Sequence, residues 1–180
     1  MTDHNNLKMA HEERRIKEPE LIRAVLDMTN VCAVALHDEP YPYVVPMNYG
    51  YVWEEDGLTL YMHMGVQGHR IDLIRENPHV TCNIQVFLDR WGTKKYRGEG
   101  HDYRSVTVYG KAEILTAEDP KEFIKALNAL CAATGRPRVT KAPKSKSLYM
   151  MRVKADVVTA KSQYEITKPE EVAMPALLPK

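Results

Sequence analysis

The chain is predicted to be mainly β, a small six-stranded barrel carrying helices, and three features of the sequence support this. Six segments rich in β-branched, aromatic or alternating apolar residues recur along it. Turn chemistry separates them, most clearly at Glu54-Glu55-Asp56-Gly57 and Asn77-Pro78. A few stretches with helical apolar spacing fit as decoration on such a barrel.

Residues 1–15 are polar and charged and are expected to form a loose arm. Pro19, flanked by Glu18 and Glu20, suits a first helical turn, and Leu21, Ile22, Val25, Leu26 and Met28 follow at helical spacing to about Asn30. Residues 31–37, VCAVALH, are an apolar run expected to be a buried strand, and DEPYP then supplies a turn. A second strand spans 43–53. Its Pro46 lacks a ladder donor, which predicts an edge or a bulge. The hairpin at 54–57 returns the chain into a third strand at 58–64. Ile71, Leu73 and Ile74 then mark a short helix that Asn77-Pro78 stops.

Val80, Cys82, Ile84 and Val86 alternate on one face of a fourth strand. Residues 89–103 read as a long glycine-rich loop with Trp91 and Tyr96, and a fifth strand follows from Arg104. The clearest helix lies within 117–135, acidic at its start and closed by Gly135. A basic loop containing Lys141 to Lys146 leads to a last strand at 148–162, whose apolar residues change phase partway. The tail over 167–180 is expected to wrap over a surface or a partner. The core domain is therefore placed at 16–166.

With 44% apolar and 27% charged residues, the composition fits a water-soluble globular domain better than a disordered or membrane chain. The formal charge of +1 provides no field to gather nucleic acid. No apolar run resembles a signal peptide or a membrane span, so a cytoplasmic protein is expected. Cys32, Cys82 and Cys131 lack metal-ligand or paired spacing and are read as buried reduced thiols, and no metal is expected.

The chemistry concentrates in residues 58–80. A strand ends at His63, a glycine-bearing loop follows, and Gly68-His69-Arg70 opens a helix whose free N–H groups and Arg suit a phosphate. Spacing alone leaves two readings open: an anion site, or an ordinary connection with a solvated Arg. His63 likewise reads either as a structural residue or as a catalyst.

The succession His63, Gly68, Arg70, Ile71, Asn77, Pro78 and Val80 resembles the flavin-binding signature of the pyridoxamine 5'-phosphate oxidase-like split barrels. Pro42 to Tyr51 is similar to the strand that lies against the flavin in the nitroimidazole-resistance branch of that family. Tyr103 to Ala112 is similar to its Tyr-x-Ser-Val strand, and the resemblance covers about residues 14–166.

The resemblance implies a six-stranded FMN-binding split barrel that dimerises, with FMN in clefts at the subunit interface. It implies that Arg70, with the N–H groups near Gly68 and His69, binds the FMN phosphate. Pro46, Met47, Asn48 and Tyr49 would line the isoalloxazine, His63 would lie near the ring or ribityl chain, and Ser105 would complete the polar wall. The activity implied is flavin-dependent reduction of a small electrophile such as a nitroimidazole, with His63 and Tyr49 as catalytic candidates and NAD(P)H as a possible donor. The alternative is a non-catalytic flavin, haem or deazaflavin carrier. Two departures stand out. Met64 replaces a small hydroxyl residue, and Ala160-Lys161 replaces Gly-Lys.

Overall fold

The structure is a computed structural model that describes residues 7, 9–88, 102–142 and 148–173. Two compact units can be distinguished. One contains described residues within Met1–Thr29, Asn83–Thr107 and Val157–Lys180, and the other contains Asn30–Cys82 with the described part of Val108–Asp156.

In chain order the elements are a 3-10 turn at Glu12–Arg14, β1 (Arg15–Ile16), α1 (Pro19–Leu26), β2 (Val31–Leu36), β3 (Tyr43–Glu54) and β4 (Gly57–Met64). There follow α2 (His69–Glu76), β5 (His79–Leu88), β6 (Asp102–Leu115), α3 (Pro120–Ala133), β7 (Tyr149–Ser162) and α4 (Pro169–Val172). The strands pair in the order β1-β7-β4-β3-β2-β5-β6, and β7 also pairs with β6. The six long strands therefore close on themselves as an antiparallel barrel, which leaves none of them with a free edge along its whole length.

The second unit is organised by β3. Residues Tyr43 to Asn48 pair with β2, and Tyr49 to Glu54 pair with β4. The Tyr49 N–H donates to Asn30 O at 2.8 Å, which fixes which positions of β3 face β2 with their backbone groups. By alternation the N of Pro46, opposite Ala33, points away from β2, on a side where the registered pairs of β4 have not yet begun. The proline therefore costs no ladder bond. The expected edge is local, on a strand that is otherwise interior.

Side chains of β2 alternate as the pleat demands, with Cys32, Val34 and Leu36 buried and Val31 43% exposed, so the run is buried on one face and not both. Cys32 and Cys82 are buried on this inner side, and hydrogen bonding with Cys32 together with burial pushes the Cys82 thiol well up. Both thiols are thus held protonated and unreactive.

α3 starts where Asp119 accepts from the Glu122 N–H at 3.2 Å, with Pro120 in the first turn. It lays Phe123, Ala126 and Leu130 on Tyr61 and Met150. Contact is closest at Gly50, where a Cβ would come within 2.1 Å of the Ala129 carbonyl oxygen. Arg152 on β7 ties the helix further, donating to Glu122 at 2.8 Å and pairing with Glu113 on β6.

In the first unit α1 buries Leu21, Ile22, Val25 and Leu26, and α4 packs against it through the buried Val172. α1 ends at Leu26, four residues short of Asn30, where the chain must extend into β2. Residues 12–16 form the 3-10 turn and β1, and Arg14 donates to the Gln163 side chain at 3.0 Å. Asp102 and Tyr103, expected in the loop, belong to β6. The Asp102 carboxylate is fully buried with the Arg104 guanidinium two residues along the same strand face. Along β7 the buried positions shift from odd (Met151, Val153) to even (Ala160, Ser162), the phase change expected from the sequence. Trp91, Tyr96 and the basic loop from 143 onward lie outside the described residues, as do residues 1–6 of the arm and 174–180 of the tail.

Gly50→Ala is expected to lower stability by about 3 kcal/mol or more, because backbone of α3 would have to move away from β3. Urea unfolding should show this as a lower midpoint at unchanged slope, while Gly65→Ala, with nothing nearer than 3.9 Å, should leave the midpoint nearly unmoved.

Candidate functional site

The loop after β4 turns into α2 at Gly68, whose φ of +119° is a conformation that favours glycine. Glycine also brings no side chain to cap the helix, so the first N–H groups of α2 are left for another acceptor. The two residues that open the helix each meet β3. His69 places its ring against Tyr43, centroids 5.7 Å apart at 80°, and Arg70 donates through Nη1 to the Met47 sulfur at 3.5 Å.

Arg70 is half-buried, and its Nε is fully shielded from solvent without a hydrogen-bond partner. A thioether is a weak acceptor, so this guanidinium retains most of its charge and donor capacity. Buried donors left unsatisfied are costly, and one beside an uncapped helix start is matched by an anion carrying several acceptor oxygens. The donor set therefore fits a phosphate.

β3 presents the remaining predicted residues on alternate sides. Met47 and Tyr49 are buried, at 6% and 1% exposure, on the same side as Tyr43, whereas Pro46 and Asn48 are exposed on the other. Asn48 donates to Asn30 O at 3.3 Å. Tyr49 is thus a core side chain of the second unit, and what it shows to the outer face is backbone.

His63 is exposed on β4 opposite Met150 and makes no polar contact among the described residues. It stands free to exchange protons with whatever approaches that face. Ser105 belongs to the first unit, half-buried on β6 between the buried Arg104 and Val106. The structure therefore brings Met47, Gly68, His69 and Arg70 together at the start of α2.

One feature has no counterpart in the expectations from sequence. His69 Nε2 lies 2.7 Å from Asp38 Oδ2, and this bond is the main reason the Asp38 carboxyl is held below the usual carboxylate range. The partners are 31 positions apart, and no motif spacing links them. Among the described residues no group of three or more His, Cys, Asp or Glu is placed to hold a metal ion, and no helix is long and apolar enough to cross a membrane.

The profile of the pyridoxamine 5'-phosphate oxidase family matches residues 18–162. Among solved structures, a protein named for 5-nitroimidazole antibiotic resistance, from Bacteroides thetaiotaomicron, is similar at 27% identity and a TM-score of 0.68, over 82% of this chain and 86% of that one. A FAD-binding protein from Mesorhizobium loti is similar at 23% identity and a TM-score of 0.57, over 83% of this chain and 95% of that one. A FAD and heme binding protein from Mycobacterium smegmatis reaches a TM-score of 0.61 at 16% identity, over 91% of this chain and 81% of that one. No curated protein matches the chain. At these lower identities the last two likenesses concern the fold. With a match running from the first turn of α1 nearly to the end of β7, on a closed six-stranded split barrel, the chain belongs to the pyridoxamine 5'-phosphate oxidase family.

Proposed function

We propose that the chain binds FMN, with the phosphate at the start of α2, and works as a flavin-dependent oxidoreductase on a small electrophile of the nitroaromatic kind. The observation that carries this reading is Arg70, a guanidinium with a shielded, unpartnered Nε beside an uncapped helix N-terminus. Membership of the family and likeness to a protein named for nitroimidazole resistance supply the cofactor and acceptor class.

In this reading the protein's own groups bind, orient and exchange protons. Arg70 and the N–H groups of His69 and Arg70 hold the phosphate by charge-assisted hydrogen bonds. The outer face of β3 near Pro46 and Asn48 supplies a flat wall and backbone groups for a planar ring. His63, exposed and free of partners, is the proton donor as charge builds on the acceptor. The flavin, when bound, supplies two-electron chemistry, taking reducing equivalents from a nicotinamide donor and passing them on.

The active species in this reading is a homodimer. Val31 and Val44, on the outer face of β2 and β3, are 43% and 59% exposed, with Pro46 also exposed on β3. Exposed β-branched residues side by side on a sheet are covered in many proteins by another molecule, and a second copy would wall the cleft from the far side.

Arg70→Ala should weaken FMN by about 1.5–3 kcal/mol, very roughly ten- to a hundredfold in affinity, with the barrel still folded. Quenching of flavin fluorescence during titration measures this, and unchanged affinity would remove Arg70 from the phosphate site. A Soret band in the visible spectrum of purified protein would favour the haem-carrier alternative.

His63→Ala should slow reoxidation of the reduced flavoprotein by nitroimidazole, per bound flavin, by roughly ten- to a hundredfold while leaving FMN affinity near wild type. Stopped-flow absorbance at saturating FMN is the measurement. If wild-type protein reoxidises no faster than free reduced FMN, the reductase reading fails.

Val44→Asp should shift sedimentation from dimer toward monomer and release FMN in parallel, since ligand affinity is linked to assembly. A wild-type monomer carrying a full complement of FMN would refute the interface reading.

A further inference from the structure

His69 is held more firmly than a surface residue needs to be. Its side chain is 57% exposed, yet Asp38 takes Nε2 at 2.7 Å and Tyr43 meets the ring at 5.7 Å and 80°. The second oxygen of Asp38 accepts the Glu39 N–H at 3.0 Å, so the carboxylate is itself fixed. A surface pair of this kind adds little stability. What the arrangement provides is orientation of the ring, as carboxylate partners do for histidines elsewhere.

Nδ1 is the one polar atom of the ring left without a partner among the described residues, and Arg70 is the next residue. An imidazole that gives its Nε2–H to a carboxylate can present Nδ1–H to a second anion only as the imidazolium, a form that two flanking anions favour. Phosphate classes differ here. A terminal phosphomonoester carries about −1.5 to −2 charge near pH 7, whereas a phosphodiester carries one negative charge per phosphate.

The adjoining space adds a second constraint. A cavity of about 330 Å³ that shares Asp38 with this site is lined also by His37, Glu39, Leu73, Glu76 and Asn77. Its three carboxylates, against one histidine, make it a poor place for a second phosphate.

We propose that His69, positioned by Asp38 and Tyr43, is a second cationic donor beside Arg70 and makes this site prefer a terminal phosphomonoester to an internal phosphodiester, FMN to FAD. The inference rests on the phosphate reading of α2 given above.

The test is titration of the full chain and its variants with FMN, FAD and riboflavin under one buffer condition. Taking the ratio of affinities on each variant cancels any change in folded fraction. Wild type should bind FMN more tightly than FAD, and His69→Ala should reduce that preference about three- to tenfold, as expected for one charge-assisted contact at an exposed position. Riboflavin affinity should not change, and His69→Lys should restore most of the preference. An unchanged FMN-to-FAD ratio in His69→Ala, or an equal loss for all three flavins, would overturn the proposal and leave the Arg70 reading standing. Wild-type protein that binds none of the three overturns both.

Discussion

The second unit depends on β3 changing partners midway. Up to Asn48 the strand is bonded to β2, and from Tyr49 it is bonded to β4. Around the changeover the backbone has a partner on one side only, which is why Pro46 is tolerated and why backbone groups are available near it. The same strand places Tyr43 and Met47 under the first turn of α2 and Gly50 under α3. A barrel closed by β7 pairing with both β4 and β6 keeps this strand from splaying at the point where its hydrogen bonding is thinnest.

The two helices packed on β3 use it differently. α3 is bound by close backbone approach at Gly50 and by an apolar cluster around Phe123, contacts that are strong because they exclude water and are hard to deform. α2 is bound by Ile71, Leu73 and Ile74 on its buried side, while its polar first turn is left open. A rigid scaffold thereby carries an electrostatically incomplete helix start. That combination suits recognition of an anion, since the donors are fixed before the ligand arrives and little ordering cost falls on binding.

Electrostatic balance elsewhere sharpens the contrast. Asp102 and Arg104 are fully buried against each other, and Arg152 meets two carboxylates, so these cations are neutralised within the protein. Arg70 meets a methionine sulfur. Where other guanidiniums close a network, this one has a donor to spare, and the proposed cofactor role follows from that difference.

The sequence by itself determined the strands, the hairpin at Gly57, the helix start at Gly68 and the family. These are written in local periodicity and turn chemistry, which a linear chain records directly. It also indicated the phase change in β7 and brought Arg70 to notice. Tertiary structure alone decided three matters. Tyr49 is a core side chain, because the face a strand residue occupies depends on which side of the sheet the helices cover. Asp102 joins β6, because its carboxylate is buried with Arg104. Asp38 and Tyr43 converge on His69 from a loop and a strand far away in sequence, because a contact across 31 positions is fixed by the register of β2 on β3 and the packing of α2, neither of which leaves a mark in spacing.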